Sequence, residues 1–383
     1  MRRTACYFPI VPNREGEITA VGHLSPRARA RSRIIYEVDR PTDADAADLG
    51  NHIIEAVRKI SRAWGSGFSL LVDLPTYGPE HRTTNGSHIV EYAFMCLRQL
   101  GALAVPVAGP ISARGPEMLE IIRDVALRDK RGAALRVPFA EFNNTDVLQR
   151  ELSAAMRILA LNPAEVDLLF DLEAVHHIPA SQRSAAYLTA VIHEALAVTR
   201  MSGEFRNVVL CGSSVPESVG KEYDSAPYRG RRIEFDVWRS LLTDTNIPVS
   251  FSDGGITALR GDDPRGHGRA LARVRLSTPD EHVLHRAERK KYVDLCKRVV
   301  SSADFNRTIV AWGATKLREC AREYTQASSP TIWVARDTNL HFETTLVEIE
   351  QRLRLAGRIT DYQFPEEETS AWLQHSILEN VEV

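Results

Sequence analysis

The chain has 383 residues, 44% of them hydrophobic and 26% charged, with a formal net charge of −2. That length holds either two or three average domains or one barrel of about 250 residues with an extension, and the near-neutral balance excludes a bulk electrostatic pull toward nucleic acid. The five cysteines, Cys6, Cys96, Cys211, Cys296 and Cys320, never fall in a C-x-x-C pair, which excludes a zinc knuckle and argues against a disulfide framework.

The chain opens M-R-R-T-A-C-Y-F-P-I-V-P, an apolar run too short and too proline-broken for a signal peptide. No later segment approaches the roughly 20 apolar residues of a membrane helix, so a cytoplasmic protein without membrane contact is expected. Short β-branched runs then recur: C-Y-F-P-I-V (6–11), R-I-I-Y-E-V (33–38), S-L-L-V-D (69–73), L-A-V-P-V-A (103–108), A-A-L-R-V (133–137), V-D-L-L-F-D (166–171), N-V-V-L-C (207–211) and P-V-S-F-S-D (248–253). Between most of them lie stretches with helical spacing, among them Ile53, Val57, Ile60 and Trp64, and later Leu148, Leu152, Ala155 and Leu159. The first crossover is the weakest, with E-I-T-A-V-G-H-L (17–24) as its helix and the arginine run R-A-R-A-R-S-R (27–33) as a solvated lead into the second strand.

Strands joined by helical crossovers run parallel, and eight βα units is the number that closes a barrel. The expected fold is therefore α/β: a (β/α)8 TIM-type barrel over 1–262, with an open doubly wound sheet as the alternative. After D-D-P-R-G-H-G-R (262–269) the rhythm changes, and 263–383 is expected to be an α+β extension packed on the barrel. Its predicted elements are a strand at 272–278, helices at 292–300 and 316–325, a strand T-I-W-V-A (331–335) and a helix at 344–355.

In parallel α/β folds the ends of the strands open onto a common mouth where ligands bind. Those ends carry Glu37, Asp73, Arg136, Asp171 and Asp253. Period-two alternation puts Ile35 with Glu37, Leu71 with Asp73 and Leu169 with Asp171, compatible with every acid looking inward. Converging carboxylates need a compensating charge, and Arg136 or a divalent cation such as Mg²⁺ or Mn²⁺ held by Glu37, Asp73, Asp171 and Asp253 are the two candidates. The plainer alternative is that these acids cap turns or form a structural ion-pair ring with Arg136.

Gly212-Ser213-Ser214 and Gly254-Gly255 follow the seventh and eighth strands, where barrels often bind phosphate through backbone N–H groups, although such pairs are also ordinary turn residues. Arg275 on the strand 272–278 is a candidate anion clamp, and His341 becomes an acid, base or ligand if the extension covers the mouth. Cys211 reads as a core thiol, and His176-His177 as a loop pair within reach of a metal or simply solvated.

The ordered motifs F-P-I (8–10), Y-E-V (36–38), L-V-D-L (71–74), E-V-D-L-L-F-D-L (165–172), V-V-L-C-G-S-S-V-P-E-S (208–218), Y-V-D-L-C-K-R-V (292–299) and T-I-W-V-A-R-D-T-N-L-H-F (331–342) resemble the beta protein family. That family takes its name from a bacteriophage T4 protein and is spread through bacterial and phage genomes. The resemblance implies that Glu37, Asp73, Arg136, Asp171, Asp253 and His341 are the characteristic polar positions, and it implies roles in phage–host conflict rather than an established reaction. The chain departs from the pattern at Asp253-Gly254 and at A-W-G-A-T (311–315).

Two functions are expected from these residues together with what the resemblance implies. The first is an enzyme acting on a phosphorylated small molecule or nucleotide, such as a metal-assisted phosphoester hydrolase, with Arg136 stabilising developing negative charge. The second is a non-catalytic subunit of a phage-defence system that binds a ligand or a protein partner. A nucleic-acid partner is not indicated.

Overall fold

The computed structural model describes residues 5–41, 46–216, 226–244, 248–257, 271–288, 290–324 and 329–358. Its strands are β1 (Ile10–Pro12), β2 (Ile35–Glu37), β3 (Ser69–Asp73), β4 (Leu103–Ala108), β5 (Ala133–Pro138), β6 (Val166–Ala174), β7 (Asn207–Ser213), β8 (Tyr228–Arg231), β9 (Val249–Asp253), β10 (Ala272–Ser277) and β11 (Glu281–Ala287). Eight of them form one parallel sheet in the order β1-β2-β3-β4-β5-β6-β7-β9. Tyr7, just before β1, bridges in parallel to Phe251 of β9, and Phe8 N–H donates to Phe251 O at 2.8 Å. Those contacts close the sheet, so the fold is the (β/α)8 TIM-type barrel that the eight-fold alternation predicts.

The barrel interior is filled by Phe8, Ile10, Ile35, Leu71, Val105, Val107, Ala134, Leu169, Val209 and Cys211. A separate shell between strands and helices contains Tyr36, Leu70, Val72, Leu135, Phe170, Leu210 and Phe251. Successive residues of a strand thus alternate between the two cores, which makes each strand apolar on both faces.

In the first crossover the helix Glu15–Gly22 is followed by a second, Pro26–Arg31, built from most of the arginine run. The run is not a solvated lead. Arg29 is buried and donates to the carbonyls of Val21, Gly22, Leu24, Ala63 and Trp64, so one guanidinium satisfies the orphan carbonyls near the ends of two helices. Arg33 pairs with buried Asp167 at 2.6 Å, and Arg31 with Glu350 at 3.1 Å.

A three-stranded antiparallel sheet, β10-β11-β8, lies beside the barrel with the helices Tyr292–Ser301 and Trp312–Ala321. Sequence propensity fails most clearly at T-I-W-V-A. That segment is not a strand: it begins a single helix, Pro330–Leu355, which carries Pro at its first position. Its 26 residues span about 39 Å. Trp333 and Leu340 join the core of the small sheet, while Phe342, Leu346, Ile349 and Leu353 join the barrel's outer core. Burial on both sides overrides the β propensity of Thr331, Ile332 and Val334. The same helix explains A-W-G-A-T: a Cβ on Gly313 would stand 2.0 Å from Arg336 O, and Gly313 N–H donates to Asn339 Oδ1 at 2.9 Å. The loop 262–269 and residues 217–225 lie outside the described residues.

Candidate functional site at the barrel mouth

The inward faces of β2, β3, β5 and β6 end in Glu37, Asp73, Arg136 and Asp171, each two residues beyond an interior apolar side chain. The four meet. Arg136 donates through Nε to Asp171 Oδ2 at 2.7 Å and through Nη1 to Asp73 Oδ2 at 2.9 Å and to Glu37 Oε1. Asp73 Oδ1 accepts from Arg114 Nη2 at 2.7 Å. Burial pushes the Asp73 carboxyl up, and the Arg114 and Arg136 guanidinium groups together outweigh it, leaving the pKa below the ordinary carboxylate value. Burial alone would lower Arg136, yet Asp171, Glu37 and Asp73 hold it well above its usual value. Cys211 closes the interior beneath this layer, and burial pushes its thiol up to about 12.

Among the described residues no group of three or more His, Cys, Asp or Glu side chains has the arrangement of a metal site. The point on which Glu37, Asp73 and Asp171 converge is taken by the Arg136 guanidinium. Arg114 is the partner that the strand-end reading missed. It precedes a break at Gly115 (φ 75°) in the helix that follows β4, and an arginine six residues after the end of that strand was the available signal.

Above the layer is a pocket of about 200 Å³ lined by Glu37, Arg136, Asp171, Glu173 and His177, with Phe139, Leu172 and Ile178 as apolar walls. Its rim is backbone under strain. The register of β6 against β7 shifts between Asp171 and Ala174, and Glu173 there adopts φ 55°, a left-handed conformation that costs a non-glycine residue about 1 kcal/mol or more. Asp171 Oδ1 supports the bulge by accepting from Glu173 N–H at 2.8 Å. His176 and His177 follow in a short 3₁₀ turn, and of the pair it is His177 that lines the pocket.

Asp253 and His341 sit elsewhere. Asp253 lies two residues beyond Phe251, which belongs to the outer core, so alternation points it away from the interior layer. It accepts from Tyr7 Oη at 2.7 Å and Arg232 Nη2 at 3.3 Å, and His341 Nε2 lies 3.0 Å from its Oδ2. His341 Nδ1 is 2.6 Å from Ser277 Oγ at the end of β10. Arg232 continues the chain to Thr345 Oγ1 and Glu348 Oε2, both at 3.0 Å. This buried seam joins the barrel, the small sheet and the long helix. Burial raises the Asp253 carboxyl, but His341, Arg232 and Tyr7 together hold it far below its usual value, while burial lowers His341. A neutral His341 that donates from Nε2 to Asp253 and accepts from Ser277 satisfies every distance. Ser277, Arg232 and Tyr7 carry no motif that marks them in the sequence.

The expected anion cradles face other partners. Ser214 Oγ donates to Glu234 and accepts from Ile233 N–H at 3.1 Å; Ser213 Oγ accepts from Val215 N–H at 3.3 Å. Gly212 is packed against Leu172 and Glu234, Gly254 is buried, and Gly255 N–H donates to Asp253 Oδ1 at 3.3 Å. Arg275 faces the long helix, with its N–H donating to Asp337 Oδ2 at 2.9 Å.

The sequence profile of the family described as Beta protein matches residues 7–346, a span that holds both the mouth layer and the seam. The chain belongs to the Beta protein family. All six polar positions singled out by the family resemblance, Glu37 to His341, fall within that span. No curated protein sequence matches the chain. Among solved structures, the apo form of 3-keto-D-glucoside 4-epimerase YcjR from E. coli is similar at 13% identity with a TM-score of 0.32, covering 69% of this chain and 95% of that one. No helix among the described residues is long and apolar enough to cross a membrane.

Proposed function

We propose that the mouth pocket of this Beta protein is an acid–base site for a small polar substrate that is neutral or cationic. The observation that carries this reading is the charge balance. Four carboxylates, those of Glu37, Asp171 and Glu173 at the pocket and of Asp73 in the layer beneath it, stand with the guanidinium groups of Arg114 and Arg136 and with His177 at the rim. An excess of negative charge in a partly enclosed site disfavours a further anion and favours an ammonium group or hydroxyl donors. A phosphorylated substrate would add to the excess. A divalent cation would relieve it, and would have to share the cluster with Arg136. Arg136 positions the carboxylates, whereas Glu173 and His177, half-buried and exposed at the rim, are the groups placed to exchange a proton with a bound molecule.

A thermal-shift panel tests the reading, with amines, amino sugars, polyols, phosphorylated compounds, Mg²⁺ and Mn²⁺ as separate arms, followed by NMR detection of turnover for each hit. Stabilisation by an amine or polyol that is lost in Glu173→Gln is the expected result. Stabilisation by phosphorylated compounds or divalent ions alone, unchanged in Glu173→Gln, would overturn it. A ligand that binds and is never consumed would return the site to a non-catalytic binding role.

A further inference from the structure

We propose that the small domain beside the barrel carries a second site, which binds a phosphate group between the helices Tyr292–Ser301 and Trp312–Ala321. A pocket of about 410 Å³ opens there, lined by Lys297, Val300, Ser301, Phe305, Arg307, Arg318, Ala321 and Arg322. Four of these are cations and none is an acid. The acids close by are already engaged or lie beside the pocket. Glu323 accepts from Lys297 at 2.6 Å, Asp304 is paired with Arg229 at 2.9 Å, and Asp294 stands one turn before Lys297 on the same helix.

The ordinary explanation for cations here is the helix dipole, since both helices end at the pocket. Each helix C-terminus is worth about half a negative charge, so two helix ends and Glu323 leave a surplus of about two positive charges. A phosphate monoester, with a charge of about −1.5 to −2 near pH 7, matches that surplus.

The donors are also arranged for it. Arg318 is fixed: its Nη2 donates to the carbonyls of Arg307 and Ile309, at 3.0 and 3.2 Å, and its guanidinium lies 5.1 Å from the ring centre of buried Phe305. Arg307 makes one long bond, to Ser301 O at 3.4 Å, and the exposed Arg322 guanidinium makes none to a described residue. One anchored and two uncommitted guanidinium groups around an apolar floor can take a phosphate through paired N–H donors. None of these residues lines the mouth pocket, so the two sites stand or fall separately.

The test is calorimetric titration of the full chain with inorganic phosphate and, separately, with AMP, at low and at physiological salt. Binding that weakens at least about tenfold (1.4 kcal/mol) in the double variant Arg307→Gln/Arg322→Gln, with an unchanged melting temperature, is expected. Both replaced residues are exposed, so folding should be unaffected. Tighter binding of AMP than of phosphate would identify a phosphomonoester as the ligand; equal binding would identify the free anion. Glu173→Gln must bind phosphate as the wild type does. Absence of binding, or binding that survives the double substitution, would overturn the proposal.

Discussion

Replacing Arg136 by methionine removes the cation that touches Glu37, Asp73 and Asp171 at once, while keeping a side chain of similar length. Arg114 still holds Asp73, so the damage falls mainly on Glu37 and Asp171, both buried. Removing one partner of a buried ion pair costs about 3–5 kcal/mol, and here one substitution breaks several pairs, so a loss of at least about 5 kcal/mol is expected at pH 7.5. Against a typical total stability of about 5–15 kcal/mol, the variant should be marginal or unfolded.

The sign of the pH dependence is diagnostic for the same substitution. In the wild type the Asp73 pKa is depressed, so its contribution is present above the unfolded value near 4 and is lost as pH falls. In Arg136→Met the carboxylates that lose this cation should be easier to protonate, so stability should recover as pH is lowered from 7.5 toward 5 and decline as it rises. Urea denaturation at pH 7.5, 6 and 5 measures this, and Arg136→Met/Asp171→Asn should regain part of the loss. A variant within about 1 kcal/mol of wild type at pH 7.5 would refute the view that Arg136 is what neutralises the mouth.

Other consequences are independent of that cluster. Asp337 on the long helix is fully buried, and burial pushes its carboxyl up to about 7. Because its folded pKa lies above the unfolded value near 4, its contribution is fully present below pH 4 and declines until about pH 7. Asp337→Asn should therefore raise stability at pH 8, by at most about 4 kcal/mol, and flatten the urea midpoint between pH 5 and 8; an unchanged slope would refute the assignment. Ser277→Ala removes the hydroxyl beside His341 Nδ1 and should cost about 1–3 kcal/mol in chemical denaturation without altering ligand binding at the mouth. Covalent labelling of Ser277 by a serine-directed phosphonate would show instead that the Ser277, His341 and Asp253 seam is a nucleophilic site. Gly132→Ala combines φ 71° with a Cβ placed 1.9 Å from Glu165 O and should lower the melting temperature by several degrees, equivalent to at least about 2 kcal/mol.

The barrel and the mouth layer were legible because both rest on a local rule. Side chains two apart on a strand share a face, so Ile35, Leu71, Ala134 and Leu169, once recognised as interior, carry Glu37, Asp73, Arg136 and Asp171 inward with them. The same rule, applied to Phe251, would have sent Asp253 to the other face. What it cannot supply is which core each apolar residue joins, since strands buried on both sides read as uniformly hydrophobic. The pairing of Asp73 with Arg114, and of His341 with Ser277, joins residues 41 and 64 positions apart and leaves no period in the chain. The long helix shows the limit most plainly. T-I-W-V-A has the local preferences of a strand, and only the simultaneous burial of Trp333 against the small sheet and of Phe342 and Leu346 against the barrel makes it a helix. Local sequence thus determined the eight barrel strands and the charged residues at their ends. Tertiary packing alone decided what neutralises that layer, because the energy of a buried charge or an apolar face depends on neighbours that are remote in the chain.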